Sequence, residues 1–233
     1  MHIGLIGGIG VAATRVYYTR LVAAIEALGG VPELTIVHAR AGDLVRHSRT
    51  DDRVAQVALY LPLLQRLRDA GADCAAITSI GGHFCFKETR ARSPLALVSA
   101  IAPLDAWCEG EGLARVGLLG TRVAMATRLY GSLERTEAVV LEDELDTLGS
   151  TYTDMAIAGA CTSAQRAYFL DAAARLVRDH GAEAVLLAGT DLGLAFDGAA
   201  TEYRVVDALD IHVDVLARLG ANLTPLDAVS GPP

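Results

Sequence analysis

Residues 3–7 read IGLIG, and residues 116–120, which lie 113 positions further along, read VGLLG. The segment ATRVY at 13–17 returns at the same offset as ATRLY at 126–130. In each copy a short apolar run ends in glycine and precedes a helix-like segment, which is typical of a parallel α/β unit. The chain therefore predicts two similar α/β halves.

Strand-like and helix-like segments alternate along the whole chain, which indicates the α/β class with parallel sheets. We predict two similar parallel-sheet α/β domains related by an internal pseudo-twofold repeat, with the active site in the cleft between them. The first domain is predicted to comprise residues 1–95 and 205–233, and the second residues 96–204. Strands are predicted at 2–6, 34–38, 74–78, 115–119, 138–141 and 184–188. Helices are predicted at 12–28, 51–69, 94–110, 123–135, 151–159, 163–179 and 204–219.

The composition excludes several classes of protein. Of the 233 residues, 52% are hydrophobic and 21% charged, which is enough apolar material for a buried core. The formal net charge of −8 disfavours a nucleic-acid partner, which needs clustered positive charge. We expect no membrane partner, because no apolar run reaches the roughly 18 residues of a membrane span. The N-terminus lacks a basic segment and reads as a strand instead of a signal peptide, so a cytoplasmic location is expected.

Cysteine spacing gives no sign of a metal or redox site. The four cysteines stand at positions 74, 85, 108 and 161, and no pair has the two-residue spacing of zinc or redox motifs. We therefore expect reduced thiols and no bound metal.

The first strand is followed by a glycine-rich loop that has two interpretations. Gly8, Gly10 and Ala13 match the GxGxxA pattern of dinucleotide-binding loops. The acidic residue that usually ends the second strand of such sites is absent, since that strand ends Val37-His38-Ala39-Arg40. The alternative is a tight turn with close helix packing, whose backbone N–H groups hold a carboxylate.

Two further loops follow apolar strands at positions that the repeat aligns. The segment RDAGAD at 68–73 matches RDHGAE at 178–183, at an offset of 110. The same offset pairs Ser79, in the loop TSIGGH at 78–83, with Gly189, in the loop AGTD at 188–191. Ligands of open α/β sheets bind beyond the carboxyl ends of the strands, so both loops are candidates for the substrate site.

These motifs together resemble the aspartate/glutamate racemase superfamily, in its aspartate-racemase-like branch, over nearly the whole chain. The similar segments are the opening GLIGGIG at 4–10, Gly71-Ala72-Asp73 with His83, Gly120-Thr121 with Tyr130, Gly181-Ala182-Glu183 with Gly189-Thr190-Asp191, and Asp207 with His212. The resemblance implies a cofactor-independent enzyme in which two cysteines flank the α-carbon of an amino acid. It also implies a homodimer.

The chain departs from that pattern at both cysteine positions, which the resemblance assigns to Ser79 and Gly189. A serine hydroxyl is far less acidic than a thiol, whose reference pKa is about 8.5, and glycine has no group that transfers a proton. Racemisation by two thiols is therefore not expected.

The reactive side chains that remain on these loops are our candidates for catalysis. His83 either orients or deprotonates Ser79 or serves as a structural hydrogen bonder, and Asp191 is either an acid/base or a carboxylate at a helix N-terminus. The basic segment 40–53 is either a solvated surface or a lid that clamps a carboxylate through arginine. The predicted catalytic residues are Ser79, His83, Thr190 and Asp191. The predicted substrate-binding residues are Gly8, Gly10, Arg49, Ile80, Gly81, Thr121 and Gly189.

Three functions follow from these patterns. The first is a cofactor-independent isomerase, lyase, decarboxylase or cyclising enzyme that acts on a small carboxylate-bearing substrate, such as an amino acid or a dicarboxylate. The second is a non-catalytic homologue that binds a carboxylate. The third, and the least favoured, is an NAD(P)-dependent oxidoreductase.

Overall fold

The computed structural model describes residues 1–230, and of Ser230 only the backbone. The chain divides into two units. The first contains Met1–Ala100 together with residues 210–230, and the second contains Ile101–Leu209. Residues 231–233 of the predicted first domain lie outside the described residues. The boundaries predicted after residues 95 and 204 each lie five residues before the observed ones.

Each unit contains one parallel four-stranded sheet, and the two sheets have the same strand order. In the first sheet the order is β2-β1-β3-β4, and in the second it is β6-β5-β7-β8. Every pairing of neighbouring strands is parallel. The strands are β1 (Ile3–Gly7), β2 (Leu34–His38), β3 (Cys74–Ile77), β4 (Ala96–Val98), β5 (Arg115–Gly120), β6 (Glu137–Val139), β7 (Ala184–Ala188) and β8 (Val205–Asp207).

Helices connect the strands. A 3₁₀ turn spans Ile80–Cys85 and another spans Glu142–Glu144. The α-helices are α1 (Val11–Ala27), α2 (Ala41–Arg49), α3 (Arg53–Asp69), α4 (Phe86–Arg92), α5 (Ala102–Gly110), α6 (Arg122–Ala126), α7 (Arg128–Gly131), α8 (Leu145–Ala158), α9 (Ser163–His180), α10 (Gly193–Phe196), α11 (Ala208–Gly220) and α12 (Asp227–Ser230). No helix in residues 1–230 is long and apolar enough to cross a bilayer.

The predicted helices at 94–110 and 204–219 are wrong at their starts. Each segment opens with the fourth strand of its sheet, β4 and β8, and the helix begins only at Ala102 or Ala208. Both strands contain three residues, too few to show the alternation or the apolar run that identifies a strand in a sequence. The first sheet gains Leu97 and Val98 as core residues in this way, each 1% exposed.

The helix predicted at 123–135 is also wrong, because the second copy breaks the helix that the first copy keeps whole. Where α1 runs uninterrupted for 17 residues, the second unit has α6 and then α7. Arg128, Leu129 and Tyr130 have φ angles of 47°, 55° and 59°, in the left-handed region. Such angles cost side-chain-bearing residues about 1–2 kcal/mol each. The repeat is therefore maintained in the sheet but not in this helix.

One packing contact is the same in both units. A Cβ atom added to Gly4 on β1 would lie 2.8 Å from Cδ1 of Leu67 on α3, and one added to Gly117 on β5 would lie 2.8 Å from Cβ of Leu176 on α9. Both leucines are fully buried. The glycine at the second residue of each repeated motif therefore allows a helix to pack closely on its sheet.

This contact predicts the effect of a methyl group on β5. Gly117→Ala should lower the free energy of unfolding by about 1–3 kcal/mol, because the added carbon overlaps Leu176 in a close-packed core. Gly110→Ala is the control, since no atom lies within 4 Å of a Cβ at that helical position. Urea denaturation of the two variants checks this, and an equal effect on both would contradict it.

Candidate functional site

The register of the sheets places two loops at corresponding positions in the two units. In the first unit Ile6 pairs with Ile77, and the Thr78 N–H continues the ladder by donating to the Ile6 carbonyl at 3.0 Å. In the second unit Gly120 pairs with Ala188. Ser79 follows Thr78, and Gly189 follows Ala188. The sheet register thus aligns Ser79 with Gly189, as the sequence repeat does.

The glycine loop after β1 is tightly packed. A Cβ on Gly8 would lie 2.3 Å from Cδ1 of Leu44, and one on Gly7 would lie 2.6 Å from Oγ1 of Thr14. Gly10 is the N-cap residue of α1. Its backbone is extended, and glycine has no side chain that could cap the helix. Gly8 and Gly10 are both buried. Close packing is therefore one reason for glycine here, and substrate binding by this loop stays a prediction.

Ser79 directly precedes the 3₁₀ turn Ile80–Cys85. We call residues 78–85 the Ser79 loop. The Ser79 backbone is extended, with φ −131° and ψ 122°, and its side chain makes no capping hydrogen bond. Ser79 is half-buried, whereas Ile80 and Gly81 are buried, Ile80 completely. Ser79 is consequently the most accessible of these three residues and carries a polar hydroxyl, whereas the Ile80 side chain packs in the core.

His83 supports the Ser79 loop through both ring nitrogens. Its Nε2 accepts from the Ala100 N–H at 3.1 Å, so its Nδ1 carries the proton and donates to the Ser79 carbonyl at 2.8 Å. The ring also stacks on Phe86, with 5.0 Å between centroids. Burial lowers the pKa of His83 to about 4, against a weaker upward effect of the Ser79 carbonyl. His83 therefore contacts the backbone of Ser79, and the predicted proton transfer with its hydroxyl finds no support in this geometry.

A second buried histidine lies in the same unit. Nδ1 of His212, on α11, is 2.8 Å from the hydroxyl of Tyr17, on α1, and both side chains are completely buried. Burial lowers the pKa of His212 to about 3, and the neighbouring His83 adds to that effect. Both histidines are therefore neutral at physiological pH. The pairing of His212 with Tyr17 was not predicted from the sequence.

The basic segment 40–53 is largely a helix, which corrects the expectation of a lid loop. Arg49 lies exposed in the last turn of α2, whereas His47 is buried and its Nδ1 lies 3.1 Å from Oε1 of the fully buried Gln56. Leu44 of the same helix is the side chain that packs on Gly8. The helix thus supports the glycine loop, and carboxylate binding by Arg49 stays a prediction.

In the second unit Thr121 caps a helix. Its side-chain oxygen accepts from the Ala124 N–H at 3.2 Å, at the start of α6, and the residue is half-buried. The hydroxyl proton is not used in this bond, because the oxygen is the acceptor. Thr121 therefore has a structural role as a helix cap, and substrate binding by its hydroxyl stays a prediction.

We call residues 188–193 the Gly189 loop. Thr190 and Asp191 are 4% and 2% exposed. The Asp191 side chain receives a long hydrogen bond of 3.4 Å from the hydroxyl of Tyr152, on α8. Burial and the charge of Asp191 raise the pKa of Tyr152 well above its usual value. The Thr190 hydroxyl lies near enough to Tyr152 to oppose that rise, yet it makes no hydrogen bond of ordinary geometry within residues 1–230.

Tyr152 was missed by sequence reasoning. It lies in a segment predicted only as a helix, 37 residues before Gly189, and no motif surrounds it. Gly149, three residues earlier, shares a helix face with Tyr152 and allows close approach. The helix predicted at 151–159 excluded Gly149, because it starts six residues later than α8, which begins at Leu145.

The cysteines offer no reactive thiolate. Burial raises the pKa of the Cys74 thiol to about 12 and that of Cys85 to about 11, and burial also raises the pKa of Cys108 and Cys161. Reactive cysteines have lowered pKa values and an electropositive, accessible environment. All four thiols are therefore protonated at neutral pH.

One cavity of the second unit lies away from these loops. It has a volume of about 700 Å³ and runs along α7 and β6, between Thr127, Arg128 and Val139. A smaller cavity of about 290 Å³ lies on the corresponding face of the first unit, near Thr14 and Ile36. Neither contains a predicted catalytic residue, so neither replaces the loops as the candidate site.

The fold and the two loops define an α/β protein with a duplicated parallel sheet and polar side chains at the strand ends. Over residues 6–216 the sequence matches the family described as Asp/Glu/Hydantoin racemase. The chain belongs to this family.

Solved structures of known proteins share the fold. An aspartate racemase homologue from Pyrococcus horikoshii OT3 is 23% identical with a TM-score of 0.75, over 94% of this chain and 99% of that one. The aspartate racemase of Picrophilus torridus is 17% identical with a TM-score of 0.73, over 94% of both chains. Arylmalonate decarboxylase is 14% identical with a TM-score of 0.53, over 94% of this chain and 92% of that one. One fold thus accommodates both racemases and a decarboxylase.

The buried histidines predict how stability depends on pH. Below pH 6.5 the unfolded chain binds a proton at His83, whereas the folded protein does so only near pH 4. Stability is therefore highest above pH 6.5 and falls as the pH drops towards 4, with His83 contributing up to about 3 kcal/mol. In urea denaturation between pH 7 and 4.5, His83→Asn should lose less stability on acidification than the wild type. The control His38→Asn removes an exposed histidine. It should leave the slope unchanged, and equal slopes for wild type and His83→Asn would refute the assignment.

Proposed function

We propose that the protein is a cofactor-independent enzyme that acts on a small carboxylate-bearing substrate, an amino acid or a dicarboxylate. The proposed reaction breaks a bond at the carbon next to the carboxylate, by isomerisation, elimination, decarboxylation or cyclisation, and does not use a pair of thiols. Family membership supports the scaffold and the substrate class. The departure from two-thiol chemistry rests on the residues of the two loops.

The observation that carries this proposal is the pair Ser79 and Gly189. They follow corresponding strands at corresponding register positions, and the sequence resemblance assigns the family's two cysteines to them. One residue has a hydroxyl and the other has no side chain. The remaining thiols do not compensate, since burial keeps them protonated. A reaction that needs a proton acceptor on each face of a carbon is accordingly disfavoured.

In the first unit we assign the reacting group to Ser79. Its hydroxyl is not used in capping, and its carbonyl is held by His83. We assign His83 a positioning role, because both ring nitrogens bind backbone groups and its low pKa keeps the ring neutral. The hydroxyl would then contact the reacting centre as a hydrogen-bond donor to the developing negative charge.

In the second unit we assign the acid/base to Asp191, with Thr190 as a donor to the substrate. Asp191 is the ionisable group of the Gly189 loop, and its carboxylate is buried beside a neutral phenol. The Thr190 hydroxyl is a buried donor without a hydrogen bond of ordinary geometry inside residues 1–230. A buried donor of this kind gains from a ligand that accepts its proton.

The substrate carboxylate has three proposed binding groups. The first is the amide N–H groups around Gly8 and Gly10, where α1 begins without a side-chain cap and without an acidic residue in its first turn. A helix start of this kind favours an anion. The other two are the hydroxyl of Thr121 and the guanidinium of Arg49.

A second candidate function is a non-catalytic carboxylate-binding homologue. It is favoured by the same absence of thiols, because a homologue that has lost catalytic activity keeps the scaffold and the binding loops and loses the reacting groups. The oxidoreductase is the weakest alternative, since Leu44 already packs closely against Gly8 in the loop that would hold a dinucleotide.

Deuterium exchange tests the enzyme against the binder. In D₂O, NMR should show exchange at the carbon next to the carboxylate of aspartate, glutamate or a substituted malonate. Ser79→Ala should slow this exchange by about 10²-fold or more, the typical contribution of a positioned proton-transfer or charge-stabilising group.

The exposed Ser163, outside both loops, provides the control Ser163→Ala, which should exchange at the wild-type rate. Stabilisation by these acids in thermal unfolding, without exchange or turnover, would favour the binder instead. Stabilisation by NAD(P) alone would overturn the family-based substrate class.

A further inference from the structure

The space that a side chain at position 189 would fill is taken by Tyr152. A Cβ atom added to Gly189 would lie 2.5 Å from Cε2 and 2.8 Å from Cζ of that ring, and 3.1 Å from Cα of Gly120. Separations below 3.0 Å do not occur for Cβ atoms without displacement of a neighbour. Tyr152 is 2% exposed, so its ring has little room to move.

Glycines bring Tyr152 to this position. A Cβ on Gly149 would lie 2.6 Å from Cβ and 2.9 Å from Cα of Arg122, so α8 packs against the start of α6 almost backbone to backbone. Gly149 and Tyr152 are three residues apart and therefore lie on the same face of α8. Gly120 is equally constrained, because its Cβ would lie 2.2 Å from the Ala188 carbonyl oxygen. The helix thus lies close enough for the ring to reach the Gly189 loop.

The hydroxyl of Tyr152 then acts on the loop. It donates to Oδ2 of Asp191 at 3.4 Å. A phenol that donates to a carboxylate stabilises the charged form of that carboxylate. The ring therefore packs against the backbone at Gly189, and the hydroxyl is placed to favour the charged form of Asp191 and to orient its carboxylate.

We propose that Tyr152 replaces the side chain of residue 189 and is the positioning residue of the Gly189 loop, holding Asp191 ionised and oriented towards a small carboxylate substrate. The orientation of Asp191 towards a substrate rests on the function proposed above. The replacement itself does not, because it concerns only the packing and the hydrogen bonding within the second unit. Gly189 and Tyr152 are consequently one feature of this chain, and a thiol at position 189 requires a smaller residue at 152.

A double-mutant cycle tests the packing. Gly189→Ala should lower the melting temperature of the full chain by roughly 3–10 °C. In a Tyr152→Leu background, which lacks the ring atoms next to the added carbon, the same substitution should cost less than half as much. Gly117→Ala is the matched control, because the crowding side chain there is Leu176. Its cost should be equal in both backgrounds.

Tyr152→Ala supplies a second background if Tyr152→Leu does not fold. An equal cost of Gly189→Ala with and without the ring would overturn the replacement.

Titration tests the hydroxyl. Tyr152→Phe keeps the ring and removes the donor, so the pKa of the Asp191 carboxyl, followed by ¹³C NMR, should rise by roughly half a unit or more. The matched control is Tyr168→Phe, which removes a phenol from Glu144 in the same unit and should leave Asp191 unchanged. An unchanged pKa of Asp191 in Tyr152→Phe would overturn the positioning role, since a tyrosine that only packs would not affect it.

Malonate provides the ligand measurement. If wild type binds malonate in calorimetric titration, Tyr152→Phe should change the affinity by about fivefold, because the lost hydrogen bond alters the charge and orientation of the Asp191 carboxylate that faces the ligand, while Tyr168→Phe retains the wild-type affinity. Unchanged malonate affinity in Tyr152→Phe would overturn the proposed orientation of Asp191 towards the substrate. Absence of malonate binding by wild type would overturn the proposed substrate class and leave the packing cycle and the titration to decide on Tyr152.

Discussion

The pairing of the first and third strands within each sheet is the constraint on which the rest of the structure depends. β1 pairs with β3, and β5 pairs with β7, in parallel register up to the last residue of the strand. Parallel strands end at the same edge, so this pairing alone brings the glycine loop next to the Ser79 loop, and Thr121 next to the Gly189 loop. It requires a glycine within β1 and within β5, because a buried leucine of the helix that precedes β3 or β7 packs there. Loop chemistry is free to vary as long as this contact is kept.

The two units use that freedom differently. In the first, a neutral histidine joins the Ser79 carbonyl to the Ala100 N–H, so the loop is fixed by backbone hydrogen bonds. In the second, a ring and a hydroxyl from α8 fix the Gly189 loop. One copy of the duplicated scaffold therefore holds its loop with a neutral histidine, and the other contains a carboxylate–phenol pair. The loops of the two units are therefore not equivalent, in contrast to the sheets that carry them.

The sequence predicted what is periodic or repeated and missed what depends on distant contacts. Six of the eight strands and the α/β class follow from apolar runs and the repeat, because strands covered on both faces are almost wholly apolar. The three-residue strands β4 and β8 are too short for a pattern, and their pairing with β3 and β7 defines them. The break at Arg128 replaces a helix whose sequence matches that of α1 closely. Its left-handed φ angles show that local sequence similarity did not decide the backbone there.

The same limit applies to the candidate site, and it bears on how a missing catalytic residue is interpreted. From the motif alone, glycine at 189 is a loss, because it leaves no group to transfer a proton. In the fold it is a requirement, because Tyr152 already fills the volume where a side chain would begin. A substitution that introduced a thiol at 189 would first have to displace a buried aromatic ring, at a cost comparable to overpacking a core. Packing against Tyr152 thus favours glycine at position 189, and in the function proposed above the chemistry of this loop comes from Thr190 and Asp191.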